Sequence, residues 1–125
     1  PYNIIIFLIR SFIMSLKVLK FGGSSLADAT HFMQVAQIIK AEPERRYVVA
    51  SAPGKRNSGD TKVTDLLYKC YELASNEEDV TEVFEEIKGR YNDIIRELNV
   101  DIDLTEAYDK IREKLFISII QNRYT

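Results

Sequence analysis

A lysine, two glycines and two serines stand close together near the start of the chain, and these residue types can bind phosphate. They form the segment Lys20-Phe21-Gly22-Gly23-Ser24-Ser25. Glycines allow the backbone to approach a phosphate because no Cβ stands in the way, and a helix that begins after them offers free N–H groups. A lysine places positive charge beside oxygens whose negative charge grows during phosphoryl transfer. The segment therefore indicates a phosphate-binding turn.

A purely structural interpretation of the same turn stays open. In it, Gly-Gly only joins a strand to a helix, Ser24, Ser25 or Asp28 is the helix N-cap, and Lys20 is a solvated strand-end residue. The segment matches neither the Walker A motif nor the dinucleotide-binding Gly-x-Gly-x-x-Gly pattern, and Gly54-Lys55 lacks the earlier glycine of a Walker A loop. From Gly-Gly alone, the structural interpretation is favoured.

Periodic apolar residues around the turn predict an α/β fold. Val18–Phe21 and Tyr47–Ala50 have the composition of short strands, and helical spacing predicts a helix over residues 27–41 between them. A strand, a helix and a second strand at this spacing imply a right-handed parallel crossover. Three further helices are predicted over about residues 63–74, 80–98 and 104–115. The order is β-α-β-α-α-α, and since two strands make a poor parallel sheet, we expect part of a larger α/β domain.

Composition excludes several classes of protein. The 125 residues are 46% hydrophobic and 29% charged, with a formal net charge of -2, which excludes a disordered or collagen-like chain. Basic residues are scattered without interleaved aromatic residues, so we expect no nucleic-acid binding.

The single cysteine, Cys70, lies on an apolar helix face, so a core position and a reducing cytosol are expected. No Cys/His cluster has metal-ligand spacing, and His31 is expected to pack at a helix end rather than to act in catalysis.

A longer string around the turn resembles a known family. Lys20-Phe21-Gly22-Gly23-Ser24-Ser25-Leu26-Ala27-Asp28 is similar to the opening signature of the aspartokinases, whose first strand ends in Lys-Phe-Gly-Gly-Thr/Ser-Ser. Further along, Val48-Val49-Ala50-Ser51-Ala52-Pro53-Gly54 resembles the family's second strand and turn, and Val63-Thr64-Asp65-Leu66-Leu67 resembles the start of its next helix. The resemblance covers about residues 15–115. It implies an incomplete three-layer α/β/α amino-acid kinase-like fold with a mainly parallel sheet.

The resemblance implies roles for seven residues. Lys20 would be catalytic and would contact the transferring phosphoryl group of ATP. The phosphate path would be lined by Lys20, Gly22, Gly23 and Ser24, and the phosphate and aspartate subsites by Ser25, Ser51 and Thr64. From spacing alone, a turn residue is the favoured interpretation of Ser51 and a helix N-cap that of Thr64, although Thr64 can fill both roles.

The resemblance also implies a reaction and its partners. ATP, accompanied by Mg2+, would phosphorylate the β-carboxylate of L-aspartate and give aspartyl phosphate for lysine, threonine and methionine synthesis. No protein ligand for a metal is implied in this chain, and neither nucleic acid nor a membrane is an expected partner. The parent enzyme is expected to be a cytoplasmic homo-oligomer. Two alternatives remain open, namely another enzyme of the amino-acid kinase fold and a non-catalytic interaction fragment.

The two ends of the chain differ from its middle. Residues 1–13 contain the apolar run Ile4–Ile9, which is too short for a membrane span, and we expect an atypical N-terminal extension. Residues 14–116 are predicted to be the N-terminal portion of an amino-acid kinase catalytic domain, and residues 117–125 an atypical C-terminal tail. The family's Ser/Arg-x-Gly-Glu segment, whose glutamate helps bind the substrate ammonium, is replaced by Phe116-Ile117-Ser118-Ile119-Ile120. We therefore expect a truncated or frame-shifted reading frame without activity of its own.

Overall fold

Two parallel strands and four α-helices make up residues 16–123, the part of the chain that the computed structural model describes. A short 3-10 helix, Gly23–Leu26, follows the first strand. In chain order the elements are β1 (Lys17–Phe21), α1 (Ala29–Lys40), β2 (Arg45–Ala50), α2 (Val63–Ser75), α3 (Thr81–Leu98) and α4 (Thr105–Arg123). The predicted order β-α-β-α-α-α is confirmed, with the 3-10 helix as the one addition. The expected extension over residues 1–13 lies outside the described residues.

The two strands pair in parallel, with Phe21 opposite Ala50 at their carboxyl ends. The Ser51 N–H donates to the Phe21 carbonyl oxygen at 3.1 Å and so extends the ladder by one residue. The helix between the strands has Asp28 as its N-cap, and the Asp28 carboxylate accepts from the His31 N–H at 3.0 Å. The predicted parallel pairing is confirmed, and it brings the segments that follow β1 and β2 to the same edge of the sheet.

The core lies between α2 and α3, where apolar side chains recur at helical spacing. Its buried members are Val63, Leu66 and Cys70 from α2 and Val83, Phe84 and Ile87 from α3. The Tyr108 ring of α4 packs edge-on against Phe84, with ring centroids 6.4 Å apart. Burying one large apolar side chain stabilises a fold by about 1.5–3 kcal/mol. This cluster therefore fixes α2 and α3 against each other.

Two details of the helices differ from the prediction. The apolar spacing that predicts α2 places Leu67 on the same face as Val63, Leu66, Cys70 and Ala74. Leu67 is instead 37% exposed, because it lies about 100° around the helix from its buried neighbour Leu66. The last helix, predicted to end near Leu115, continues to Arg123. No glycine or proline follows Leu115, so nothing in the sequence stops the helix there. The division of the chain at residues 116 and 117 stays a prediction.

Both strands expose much of their surface within the described part of the chain. Val18 is 69% exposed and Tyr47 is 58% exposed, and no residue of β2 is buried. Parallel sheets of complete domains have both faces covered by other elements. The two strands therefore leave sheet surface open to further packing. The three-layer arrangement that the resemblance implies stays a prediction.

Candidate phosphate-binding cleft

The turns that follow β1 and β2 contact each other through two glycines. The Gly54 N–H donates to the Gly23 carbonyl oxygen at 2.8 Å. A Cβ at Gly54 would lie 2.5 Å from the Gly23 carbonyl carbon, and a Cβ at Gly23 would lie 3.0 Å from the Ala52 oxygen. Glycine at both positions therefore permits the backbones of the two turns to approach each other.

An open cleft of about 460 Å³ lies at these turns. Its lining consists of Gly23, Ser24, Ser51, Ala52, Pro53, Gly54, Lys55, Lys62 and Thr64. No carboxylate belongs to this lining, and neither lysine ammonium group forms a hydrogen bond or ion pair within residues 16–123. Two unpaired ammonium groups beside three hydroxyls make an electropositive surface that suits an anion with several oxygens.

The start of α2 adds backbone donors to this cleft. Helices leave their first N–H groups without partners inside the helix. Here the Val63 N–H donates to the Pro53 oxygen and the Leu66 N–H to the Lys62 oxygen, each at 3.1 Å. The intervening amides, of Thr64 and Asp65, have no acceptor among the described residues. They and the partial positive charge of the helix start are available to an anion at Thr64.

The structure brings four of the seven predicted site residues together. Gly23, Ser24, Ser51 and Thr64 line the cleft. Lys62 occupies the N-cap position of α2 and makes no side-chain cap hydrogen bond. Thr64 is thus the second residue of the helix, and the alternative interpretation of Thr64 as the N-cap is wrong.

The other three predicted residues do not line the cleft. Lys20 is exposed on β1 opposite Val49, and strand alternation places it on the other sheet face from its neighbour Phe21. Ser25 is half-buried and lines a smaller pocket that also includes Phe21. Gly22 is extended, with φ -77° and ψ 169°, and a Cβ there would meet nothing within 4 Å. The ligand roles of all seven residues stay predictions.

An ion-paired network stabilises the loop between the second turn and α2. The Asp60 carboxylate, with a side chain only 6% exposed, accepts from Arg56 Nε at 2.8 Å and lies 3.0 Å from Arg90 Nη1. The Arg56 backbone N–H donates to the same carboxylate at 2.9 Å. The hydrogen bonds from Arg56, with the positive charges of both arginines, hold the pKa of Asp60 well below its ordinary value. The loop that carries Lys55 is therefore anchored at both ends.

Sequence reasoning missed three residues of this region. Lys55 and Lys62 lie in a segment without periodicity, so no pattern assigns their side chains to the cleft. Arg90 lies three residues after Ile87 and four before Ile94, both of which are buried. That spacing predicts an inward position, which is a signal that could have identified Arg90 in spite of its charge.

Cys70 and His31, whose side chains are reactive by type, occupy the core and a helix end. Cys70 is fully buried, and burial raises the pKa of its thiol, so the expected core position is confirmed. The His31 ring nitrogen Nδ1 lies 2.7 Å from the Asp28 carboxylate, which confirms packing at a helix end. Within residues 16–123, no group of three or more histidine, cysteine or carboxylate side chains converges to hold a metal ion. No helix in this range combines the length and apolar character of a membrane span.

The fold and the cleft define a mixed α/β unit with an electropositive cleft at the carboxyl edge of its strands, and comparison with known proteins gives its relatives. No family model matches the chain. Aspartokinase 3 of Bacillus subtilis is 44% identical over 101 residues, which cover 81% of this chain and 22% of that protein. Chloroplastic aspartokinase 1 of Arabidopsis thaliana is 30% identical over 103 residues, covering 82% of this chain and 18% of that protein.

A solved structure gives the same result. The crystal structure of aspartate kinase from Clostridium acetobutylicum matches with a TM-score of 0.76 and 43% identity, covering 79% of this chain and 23% of that one. The chain is therefore homologous to the aspartokinases, and it spans about a fifth of the length of the relatives it matches. Its short parallel sheet and helices match a fragment of aspartate kinase.

Proposed function

We propose that this chain supplies the phosphate side of an aspartate kinase active site. In the complete enzyme, the γ-phosphoryl group of ATP passes to the β-carboxylate of L-aspartate. The observation that carries the proposal is the cleft at the carboxyl edge of the strands, which combines hydroxyls, glycine turns and two lysines without a carboxylate. Ligands of open α/β sheets bind at such edges. Homology to the aspartokinases selects this reaction among those that need a phosphate cleft.

The proposed catalysis depends on positioning and charge rather than on a covalent intermediate. The hydroxyls of Ser24, Ser51 and Thr64 donate to phosphate or carboxylate oxygens. The amides at the start of α2 add further donors. Lys55 and Lys62 offset the negative charge that two anionic substrates bring into one cleft.

Three residues outside the cleft lining complete the proposed site. Lys20 contacts the transferring phosphoryl group from β1, where its ammonium stabilises the developing charge. Gly22 gives the phosphates access to the backbone, since no Cβ blocks that side of the turn. Ser25 stands beside the phosphate subsite at the end of the first turn.

The complete enzyme is proposed to use ATP and L-aspartate in cytoplasmic lysine biosynthesis, as a homo-oligomer without nucleic-acid or membrane partners. Mg2+ enters this reaction as part of the ATP substrate. The lining of the cleft, with hydroxyl and ammonium groups, fits phosphate oxygens, whereas Mg2+ prefers carboxylate and carbonyl ligands. The 125-residue chain alone is expected to bind phosphate without turnover, because transfer requires both substrates to be held in line.

A titration of the chain with inorganic tripolyphosphate, followed by 15N NMR, tests the proposed cleft. The amides of Gly23, Ser24 and Thr64 should shift along one binding curve. Lys62→Ala should weaken binding by about two- to fivefold, the size of one partly solvated ion pair. Lys69→Ala removes an exposed lysine of the same helix outside the cleft and should leave the affinity unchanged.

Two results would contradict the proposal. Absence of shifts at millimolar tripolyphosphate would favour the alternative of a non-catalytic fragment. Equal weakening by Lys62→Ala and Lys69→Ala would mean that the anion is attracted to the basic surface in general and not held by the cleft.

A further inference from the structure

One arginine of α3 is almost completely buried beside the two turns. Arg90 is 3% exposed and does not line the cleft. Its guanidinium donates to the backbone oxygens of Gly54 at 2.5 Å, Thr61 at 2.8 Å and Ala27 at 3.4 Å. Among the described residues, no fully buried side-chain nitrogen or oxygen lacks a hydrogen-bond partner. Both terminal nitrogens of Arg90 therefore have partners, and three of these four partners are backbone oxygens.

The three oxygens belong to the three segments that carry the cleft. Ala27 follows the 3-10 helix of the first turn, Gly54 closes the second turn, and Thr61 leads into α2. A guanidinium presents five N–H donors in a rigid planar fork, so it serves several acceptors at fixed angles. One side chain thus joins three segments, of which the one at Ala27 is far in the sequence from the other two.

The charge of Arg90 is balanced within the same loop. Burial lowers the pKa of Arg90, and the Asp60 carboxylate opposes that shift. Asp60 in turn binds Arg56, whose side chain lies at the exposed end of the loop. A buried charge is tolerated only when it is paired and hydrogen-bonded. The loop and Arg90 are therefore joined through the Asp60 carboxylate as well as through the backbone contacts.

We propose that Arg90 is a positioning residue that sets the spacing between the two turns and the start of α2. The ligand part of this inference, that anion binding needs this spacing, rests on the proposed function. The structural part, that Arg90 holds the turns together, rests on the contacts alone. A residue that merely packed α3 into the core would have no specific effect on the turns.

Hydrogen exchange in the 125-residue chain separates these two roles. The Gly54 amide donates to Gly23 across the turns, and the Cys70 amide lies in the buried centre of α2. Arg90→Met retains a long side chain but removes every hydrogen-bond donor. The exchange rate of the Gly54 amide, divided by that of the Cys70 amide, should therefore rise about tenfold or more. Ile94→Ala, which removes a buried side chain one turn later on the same helix, should speed exchange without raising this ratio.

A milder variant keeps the inference testable if Arg90→Met does not fold. Arg90→Lys retains the positive charge, but its three N–H donors diverge from one nitrogen and cannot reproduce the contacts that Arg90 makes from two separate terminal nitrogens. The exchange ratio of Gly54 to Cys70 should therefore rise in Arg90→Lys as well. A wild-type ratio in Arg90→Lys, or the same ratio in Arg90→Met and Ile94→Ala, would overturn the positioning role.

Tripolyphosphate affinity tests the ligand part separately. At a temperature where all variants are folded, Arg90→Met should weaken tripolyphosphate binding by about tenfold, while Ile94→Ala keeps the wild-type affinity. Unchanged affinity in Arg90→Met would overturn the link between turn spacing and binding. If the wild-type chain itself fails to bind, the proposed function fails, and the exchange ratio still decides whether Arg90 holds the turns.

Discussion

Replacing Gly54 by alanine is expected to force the two turns of the cleft apart. The added Cβ would lie 2.5 Å from the Gly23 carbonyl carbon, 2.7 Å from the Gly23 oxygen and 2.8 Å from the Ser24 nitrogen. All three are backbone atoms, so no side-chain rotation relieves the clash, and ordinary contact needs about 3.5 Å. One turn must therefore move by about 1 Å, which also breaks the hydrogen bond from Gly54 to Gly23.

The expected loss is about 2–4 kcal/mol of unfolding free energy, from about 1–3 kcal/mol for overpacking and about 1 kcal/mol for the hydrogen bond. In a domain of this size, such a loss lowers the melting temperature by about 10–25 °C. Urea denaturation and a thermal scan, both followed by circular dichroism, measure it. Gly22→Ala is the matched control, because a Cβ at Gly22 meets nothing within 4 Å. Equal stability of Gly54→Ala and Gly22→Ala would refute the close packing of the turns.

Three further predictions concern stability and reactivity. Asp60→Asn should make the unfolding free energy less dependent on pH in the acid range. The hydrogen bonds from Arg56 and the nearby arginine charges lower the pKa of Asp60 from 3.8. Its contribution to the unfolding free energy, about 2–3 kcal/mol, is therefore complete above pH 3.8 and is lost as the pH falls below that value. Urea midpoints at pH 7 and pH 3 measure this, and an equal pH dependence in both proteins would contradict the pair. Gly89→Ala within α3 should raise the unfolding free energy by about 0.5–1 kcal/mol, because a Cβ there meets nothing within 4 Å; a lower urea midpoint would show otherwise. Cys70 should react with a thiol reagent slowly in buffer and quickly in urea, and equal rates would exclude its core position.

Most of the fold follows from apolar periodicity. The strands and the first three long helices appear where the patterns of residues 18–21, 47–50, 27–41, 63–74 and 80–98 predict them. The end of α4 is different, because a sequence without glycine or proline marks no boundary and the helix continues past Leu115. The elements that cover the exposed strand faces cannot be deduced from the sequence either, because apolar periodicity does not identify the packing partners of a strand.

The candidate site is predictable only in part. Motif resemblance selects Gly23, Ser24, Ser51 and Thr64, and parallel pairing brings them to one edge. Arg90 is missed because a charged side chain is ordinarily assigned to solvent, and its burial depends on carbonyl oxygens supplied by segments outside its own helix. Such backbone partners leave no signature in residue types, so only the folded arrangement identifies them.

A chimeric enzyme gives the most direct test of the proposed active site. Residues 16–115 of this chain replace the matching segment of Bacillus subtilis aspartokinase 3, to which the chain is 44% identical, and trapping of the acyl phosphate with hydroxylamine measures turnover. We expect activity that requires ATP and L-aspartate. Lys20→Ala should lower kcat about 100- to 1000-fold with a smaller change in KM for aspartate, while Lys69→Ala changes neither. A folded chimera without turnover, or a kcat for Lys20→Ala within about twofold of the parent, would contradict the proposed site.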